Sequence, residues 1–409
     1  MFDNKELARN APGFTLTDDR ALPDMAAMRQ YRLARLQSEI QTHDCAAAIL
    51  LGPVNIRYAT GTRSMQIFGM HHPTRVAVVP GQGAVTLFGW AGGDFQPETI
   101  AEVRPIAMPG YFPSGRRSEK RIEQLAKEIA SFVRELGMGN RVALDISEPG
   151  LMLALLSEGL GIIAAEPLVE HACAIKSAEE IACLVNAVTV AETGMARMRK
   201  ALEPGMTENE LFAILQHTNT AMGGEWLEYP LLAAGGHINP WLMEAGDKII
   251  RAGELLAFDC GLIGPYGYSA DVSRTFFCEP GRPTDHQKRL YSLAYDNIQS
   301  NLSLIKAGRS FRELSEKSWM PPEEFVAHRY ASMLHGIGMG DEWPSVPWPI
   351  DWEDNGYDGV LEENMVVCLE SFIGSEHGGE GVKLEEQVVV TTEGYQLMST
   401  FPFESMLLQ

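Results

Sequence analysis

The chain has 409 residues, a length that favours two domains over one. Its net charge of -21 opposes nucleic acid as a partner, because phosphate binding needs Lys and Arg patches, and its apolar fraction of 45% is ordinary for a soluble globular protein. No apolar run reaches a membrane span, the start of the chain lacks a secretory pattern, and the six cysteines are scattered without a Cys-x-x-Cys pair. A cytoplasmic enzyme with reduced core thiols is therefore expected.

Residues 1–24 are polar, with Pro12 and Pro23, and read either as an N-terminal arm laid on a partner subunit or as a disordered tail. Leu33, Leu36 and Ile40 recur at helical spacing and predict a helix over 28–43. A buried strand follows over 46–51, and 55–61 reads as a loop. Strands over 74–79 and 84–90 face each other as a hairpin across Gly81-Gln82-Gly83. A charged amphipathic helix over 120–136 and a strand over 141–144 complete an α/β domain, residues 25–173.

The second domain, 174–409, opens with Ser177, which caps a helix ended by Pro204-Gly205. Thr207-Glu208-Asn209-Glu210 is a capping box for the next helix. A loop rich in glycine and aromatics contains Gly223, Gly224, Trp226 and Tyr229, and leads to Gly235-Gly236-His237-Ile238-Asn239-Pro240-Trp241. Two strands then carry Asp259 and Asp271, joined through Gly264, Pro265 and Gly267. A long helix is predicted over 285–305, and His335, Glu370 and Glu385 fall on or near later strands. The chain as a whole reads as α+β.

A carboxylate in the middle of each arm of an apolar hairpin is costly to bury unless it is paired or bound to a cation. Singly, His335 reads as a core histidine, and Glu370 or Glu385 as a surface strand residue. As the ordered set Asp259, Asp271, His335, Glu370 and Glu385 they offer oxygen donors and one imidazole, which suit a pair of Mn, Fe, Co or Zn ions rather than a thiolate zinc site.

That set resembles the pita-bread metallopeptidase superfamily of prolidase, aminopeptidase P, creatinase and methionine aminopeptidase, in which Asp, Asp, His, Glu and Glu hold two divalent metals. The resemblance implies a pita-bread catalytic domain behind a creatinase-like N-terminal domain, with two divalent metal ions and a homodimer. It favours Glu385 over Glu386 through the spacing Gly381-Val382-Lys383-Leu384-Glu385.

The surroundings depart from the peptidases. Those enzymes place one histidine near the position of Trp241 and a second shortly after the ligand histidine; here the latter run is His335-Gly336-Ile337-Gly338-Met339-Gly340-Asp341-Glu342-Trp343-Pro344. The departures resemble the dimethylsulfoniopropionate lyases built on this fold, through Asn55-Ile56-Arg57-Tyr58-Ala59-Thr60, Gly223-Gly224-Glu225-Trp226, Asn239-Pro240-Trp241, Ile263-Gly264-Pro265-Tyr266-Gly267 and Asp341-Glu342-Trp343-Pro344. The resemblance implies Asp341 as the base and Tyr330 lining the site. Gly261 stands where those lyases carry an extra Asp, and Phe68 where they carry a Trp.

A sulfonium has no hydrogen-bond donor, so aromatic faces suit it. Trp226, Tyr229, Trp241, Trp343 and Tyr330 are candidates, each with core packing as the plain alternative. The expected reaction is elimination on dimethylsulfoniopropionate or a similar small zwitterion. The alternatives are a Xaa-Pro dipeptidase-like metallopeptidase, a hydrolase of carbon–nitrogen bonds in a small osmolyte, and a binding module without chemistry.

Overall fold

A computed structural model describes residues 23–89, 97–146 and 148–408. Most of the expected N-terminal arm, and Trp90, lie outside them. The chain divides into two compact units between Cys173 and Ala174.

In the first unit, α1 (Met25–Thr42) is opened by the Asp24 side chain and buries Leu33, Leu36 and Ile40. It is followed by β1 (Ala47–Leu50), α2 (Pro53–Thr60), α3 (Gln66–His71), β2 (Arg75–Pro80), β3 (Val85–Gly89) and β4 (Ile100–Arg104). Then come α4 (Ser118–Leu136), β5 (Arg141–Leu144), α5 (Pro149–Ser157), β6 (Gly161–Ala164) and α6 (Glu166–Ala174). Among the described residues these strands form one mixed sheet in the order β4-β3-β2-β1-β5-β6. The β2–β3 hairpin pairs as expected, with Val76 opposite Phe88. One expectation fails: 55–61 is not a loop but most of α2. Pro53 at its first turn fits a position whose N–H needs no partner, and Gly61 closes it at φ 75°, in the left-handed region.

The second unit begins with a helix pair. A reciprocal Ser177–Glu180 capping box opens α7 (Ala178–Ala201), and a Thr207–Glu210 box opens α8 (Glu208–Ala221). They pack on β8 (Leu232–Ala234), β9 (Leu255–Phe258) and β12 (Arg274–Phe277) through Ala187, Ala191, Leu215, Leu232 and Phe258. A second core joins α9 (Asp285–Leu302) to a larger sheet through Leu290, Ile298, Val367, Leu369 and Val388. Among the described residues that sheet holds β13 (Leu334–Ile337), β14 (Asp341–Val346), β15 (Val366–Gly374), β16 (Gly381–Thr391) and β17 (Gly394–Leu397), in the order β14-β13-β15-β16-β17. All its pairings are antiparallel. The chain is thus α+β, as the sequence predicts.

The predicted Asp hairpin is present but broken in both arms. β9 pairs with β12, whereas β10 (Leu262–Ile263) pairs with β11 (Ser269–Ala270), in a separate small sheet that includes β7 (Trp226–Leu227). Asp259 and Asp271 fall at the two breaks, where the chain leaves one sheet for the other. Their side chains are free of ladder geometry there and converge.

Candidate metal centre

The larger sheet supplies the other three predicted ligands. Glu370 on β15 and Glu385 on β16 stand directly opposite each other in register. Like charges in that position are destabilising, and both are fully buried. His335 lies on the adjacent β13, at a bulge against β14 between His335 and Gly336. A Cβ on Gly336 would come within 2.4 Å of the Trp343 carbonyl oxygen, so the bulge needs glycine. His335 Nδ1 lies 3.0 Å from the Gly336 carbonyl, which turns Nε2 inward.

Five side chains that are far apart in sequence therefore meet. His335 Nε2 is 3.3 Å from Glu370 Oε1, 3.8 Å from Glu385 Oε1 and 3.9 Å from Asp271 Oδ2. Oxygens of Asp259, Glu370 and Glu385 lie within 4.8 Å of one another. Asp259 Oδ1, Asp271 Oδ1 and Glu385 Oε1 are buried without a hydrogen-bond partner. Carboxylate oxygens orphaned in this way, beside one inward imidazole nitrogen, fit divalent cations such as Mn, Fe, Co or Zn.

The sequence reading missed Lys383, which is fully buried inside this group. Its Nζ lies 2.6 Å from Glu370 Oε2, 2.9 Å from Glu385 Oε2 and 3.0 Å from Asp259 Oδ2, and donates to Ser273 Oγ at 2.6 Å. The signal was present: Lys383 precedes Glu385 by two residues on one strand, so both point to the same face.

Burial disfavours the charged form of any group, and so pushes a carboxyl up and a basic group down. At Asp259 burial is outweighed by Lys383 and hydrogen bonds, and the carboxyl ends below its ordinary range. Asp271 and Glu385 end well above theirs, raised by burial and then by neighbouring carboxylates. Burial alone would lower His335, but its bond to Glu370 and nearby carboxylates lift it to about 10. Lys383 is likewise opposed by burial and held well above its usual value by Asp259, Glu370 and Glu385, so it remains an ammonium.

Around this cage the predicted residues divide. Tyr229 donates to Asp271 Oδ2 at 3.0 Å. A Cβ on Gly261, where φ is +25°, would meet the Tyr229 ring at 2.5 Å, so the small residue makes room for the phenol. The Tyr330 ring centroid is 4.8 Å from Lys383 Nζ, and the charge of Glu370, then burial, keeps its hydroxyl protonated far above neutral pH. Trp241 stacks on Phe372 with its ring 5.8 Å from the same ammonium. Asp341 Oδ1 is 4.0 Å from His335 Nδ1, with 62% of its side chain exposed. Desolvation raises its pKa, His335 opposes this, and Asp259 and Glu370 raise it further.

Trp343 instead is partly buried and packs edge-on against Phe311, on the margin of the core. Trp226 is half-buried on β7 opposite Ile263. Nearby Glu228 is a second carboxylate, raised by burial and by Asp341, that the sequence does not single out. Phe68 is exposed in the first unit, near Phe112. Among the described residues, His335 is the only histidine grouped with the carboxylates.

Comparison with known proteins accords with this geometry. A family model described as metallopeptidase family M24 matches residues 182–392, and one described as the creatinase/prolidase N-terminal domain matches residues 32–172. The dimethylsulfoniopropionate lyase of Roseovarius nubinhibens is 34% identical over 397 residues, covering 95% of this chain and 89% of the relative. The lyase of the same description from Roseobacter denitrificans is 32% identical over 396 residues, with the same coverage. The structure of a Xaa-Pro dipeptidase from Bacillus anthracis superposes with a TM-score of 0.73 at 21% identity, over 92% of this chain and 99% of that one.

Proposed function

The chain belongs to metallopeptidase family M24, and from that premise we propose that it is a metal-dependent carbon–sulfur lyase acting on dimethylsulfoniopropionate or a similar small zwitterion. The observation that carries the reading is the placement of Asp341. An open carboxylate stands beside the ligand histidine, and His335 is the only histidine at the cage among the described residues. The two lyases similar over nearly the whole chain support the same choice.

Divalent ions held by Asp259, Asp271, His335, Glu370 and Glu385 would supply Lewis-acid stabilisation of negative charge building on the substrate carboxylate. The protein does the rest. Asp341 takes the proton from the carbon next to that carboxylate. The electron pair left behind forms the carbon–carbon double bond as the carbon–sulfur bond breaks, giving acrylate and dimethyl sulfide. Tyr229 fixes Asp271 by its hydrogen bond, and the faces of Tyr330 and Trp241 border the ammonium of Lys383.

A second reading, hydrolysis of a carbon–nitrogen bond, is favoured by Gly261, because the peptidases resemble this chain at that position. One assay separates the two. Protein loaded with Mn, Fe, Co or Zn is given dimethylsulfoniopropionate in one vial and a Xaa-Pro dipeptide in another. Dimethyl sulfide in the headspace with intact dipeptide supports elimination; free proline without dimethyl sulfide overturns it.

A further inference from the structure

The proposed reaction gives Lys383 no task. Its side chain is fully buried, so it cannot meet a substrate, and the rings of Tyr330 and Trp241 flank it. Its contacts have a pattern. Asp259, Glu370 and Glu385 each turn one oxygen, Oδ2, Oε2 and Oε2, towards Nζ. Their other oxygens face elsewhere: Asp259 Oδ1 and Glu385 Oε1 have no hydrogen-bond partner, and Glu370 Oε1 meets His335. The lysine thus stands behind the carboxylates and leaves each with one oxygen for a metal.

We propose that Lys383 is a resident counter-cation, which keeps the carboxylate cage folded when no metal is bound and in return weakens the cage's hold on metal. The inference rests on the metal-centre reading but not on the reaction. Without a cation, Glu370 and Glu385 face each other across paired strands and Asp259 joins them, all buried in a medium of low dielectric. An isolated buried charge of this kind is strongly destabilising. One ammonium within 3.0 Å of all three offsets part of that repulsion. The same positive charge repels an incoming divalent ion. By linkage, whatever steadies the metal-free state more than the loaded state lowers metal affinity.

The test uses the full chain with Lys383→Met, neutral and of similar shape, and Lys383→Arg, which keeps the charge. Proteins are stripped with chelator, and thermal midpoints are read with and without Mn²⁺ alone. Affinity for Mn²⁺ is measured by calorimetry. The expectation is that metal-free Lys383→Met melts on the order of 10 °C below metal-free wild type, that Mn²⁺ closes most of the gap, and that Mn²⁺ binds at least tenfold more tightly. Recovery of folded Lys383→Met only when Mn²⁺ is kept present is the extreme form of that result. Lys383→Arg should stay closer to wild type without metal. Equal loss of Tm in both states, weaker Mn²⁺ binding, or failure to fold even with Mn²⁺ would overturn the proposal. Wild-type protein that binds no Mn²⁺, Fe²⁺, Co²⁺ or Zn²⁺ would instead remove the metal-centre reading itself.

Discussion

Asp341 and Glu228 are two carboxylates within electrostatic reach of each other, and both are held above the ordinary range. Either could serve as a base by charge alone. Asp341 is favoured by position, because Oδ1 is 4.0 Å from Nδ1 of His335, the proposed ligand. Asp341→Asn should therefore lower kcat for elimination by roughly 10²- to 10⁴-fold while metal content by mass spectrometry stays at the wild-type level. Glu228→Gln should cost less than about tenfold; the opposite ranking would hand the base role to Glu228. Gly261 makes a separate prediction. A side chain there must adopt φ +25° and displace a ring 2.5 Å from its Cβ, so Gly261→Ala should lower Tm by roughly 3–10 °C and free the phenol from Asp271. A Tm within 1 °C or so of wild type would show that Tyr229 yields easily. The grouping of Asp259, Asp271, His335, Glu370 and Glu385 was legible in sequence only as an ordered set of charges in apolar runs, not from any one of them. Lys383 was not, because a lysine beside two glutamates in a strand also reads as a solvated edge until the strand's burial is known.

At the scale of elements, strand register is what aims the proposed base. Asp341 opens β14, and the turn before it is held by its neighbour Glu342. The Glu342 carboxylate lies over Gly338, where a Cβ would be 2.1 Å away, and accepts the Met339 N–H at 3.0 Å and the Lys176 ammonium at 2.5 Å. Lys176 is buried and anchored by its own N–H on the Asn364 carbonyl. Lys176→Met should thus loosen residues 338–342, lowering kcat with little change in KM and speeding amide exchange in that turn, and Lys176→Arg should restore part of both. Unchanged exchange in the turn would refute the link. The element pattern shows where sequence reasoning works. Capping boxes at Ser177 and Thr207 declare their helices through local chemistry. α2 escaped because its polar residues hide a helix whose marks are Pro53 and Gly61. The breaks in the Asp hairpin escaped because they depend on which strand each half pairs with, a tertiary fact.

Over the molecule as a whole, the proposed metal cage should couple protons, metal and stability. Without metal, His335 is held at about 10, above its ordinary 6.5. A raised basic group adds stability that is complete below about pH 6.5 and is lost as pH climbs towards its folded value. Asp271 and Glu385, raised well above the carboxylate range, act in the same direction: the folded state keeps protons that the unfolded chain releases. Asp259, lowered by Lys383 and its hydrogen bonds, works oppositely, but its window lies in acid, near its ordinary 3.8. Metal ligands must be deprotonated, so loading the cage expels these protons and removes the dependence. The expected outcome is that the Tm of metal-stripped protein falls between about pH 6.5 and 9, while the Tm of Mn²⁺-loaded protein changes less, so the gap widens with pH. Calorimetry in two buffers of different ionisation enthalpy should show proton release on Mn²⁺ binding at pH 7. A gap that stays flat or narrows would mean that the cage carries no protons to exchange, and that Lys383 alone balances its charge.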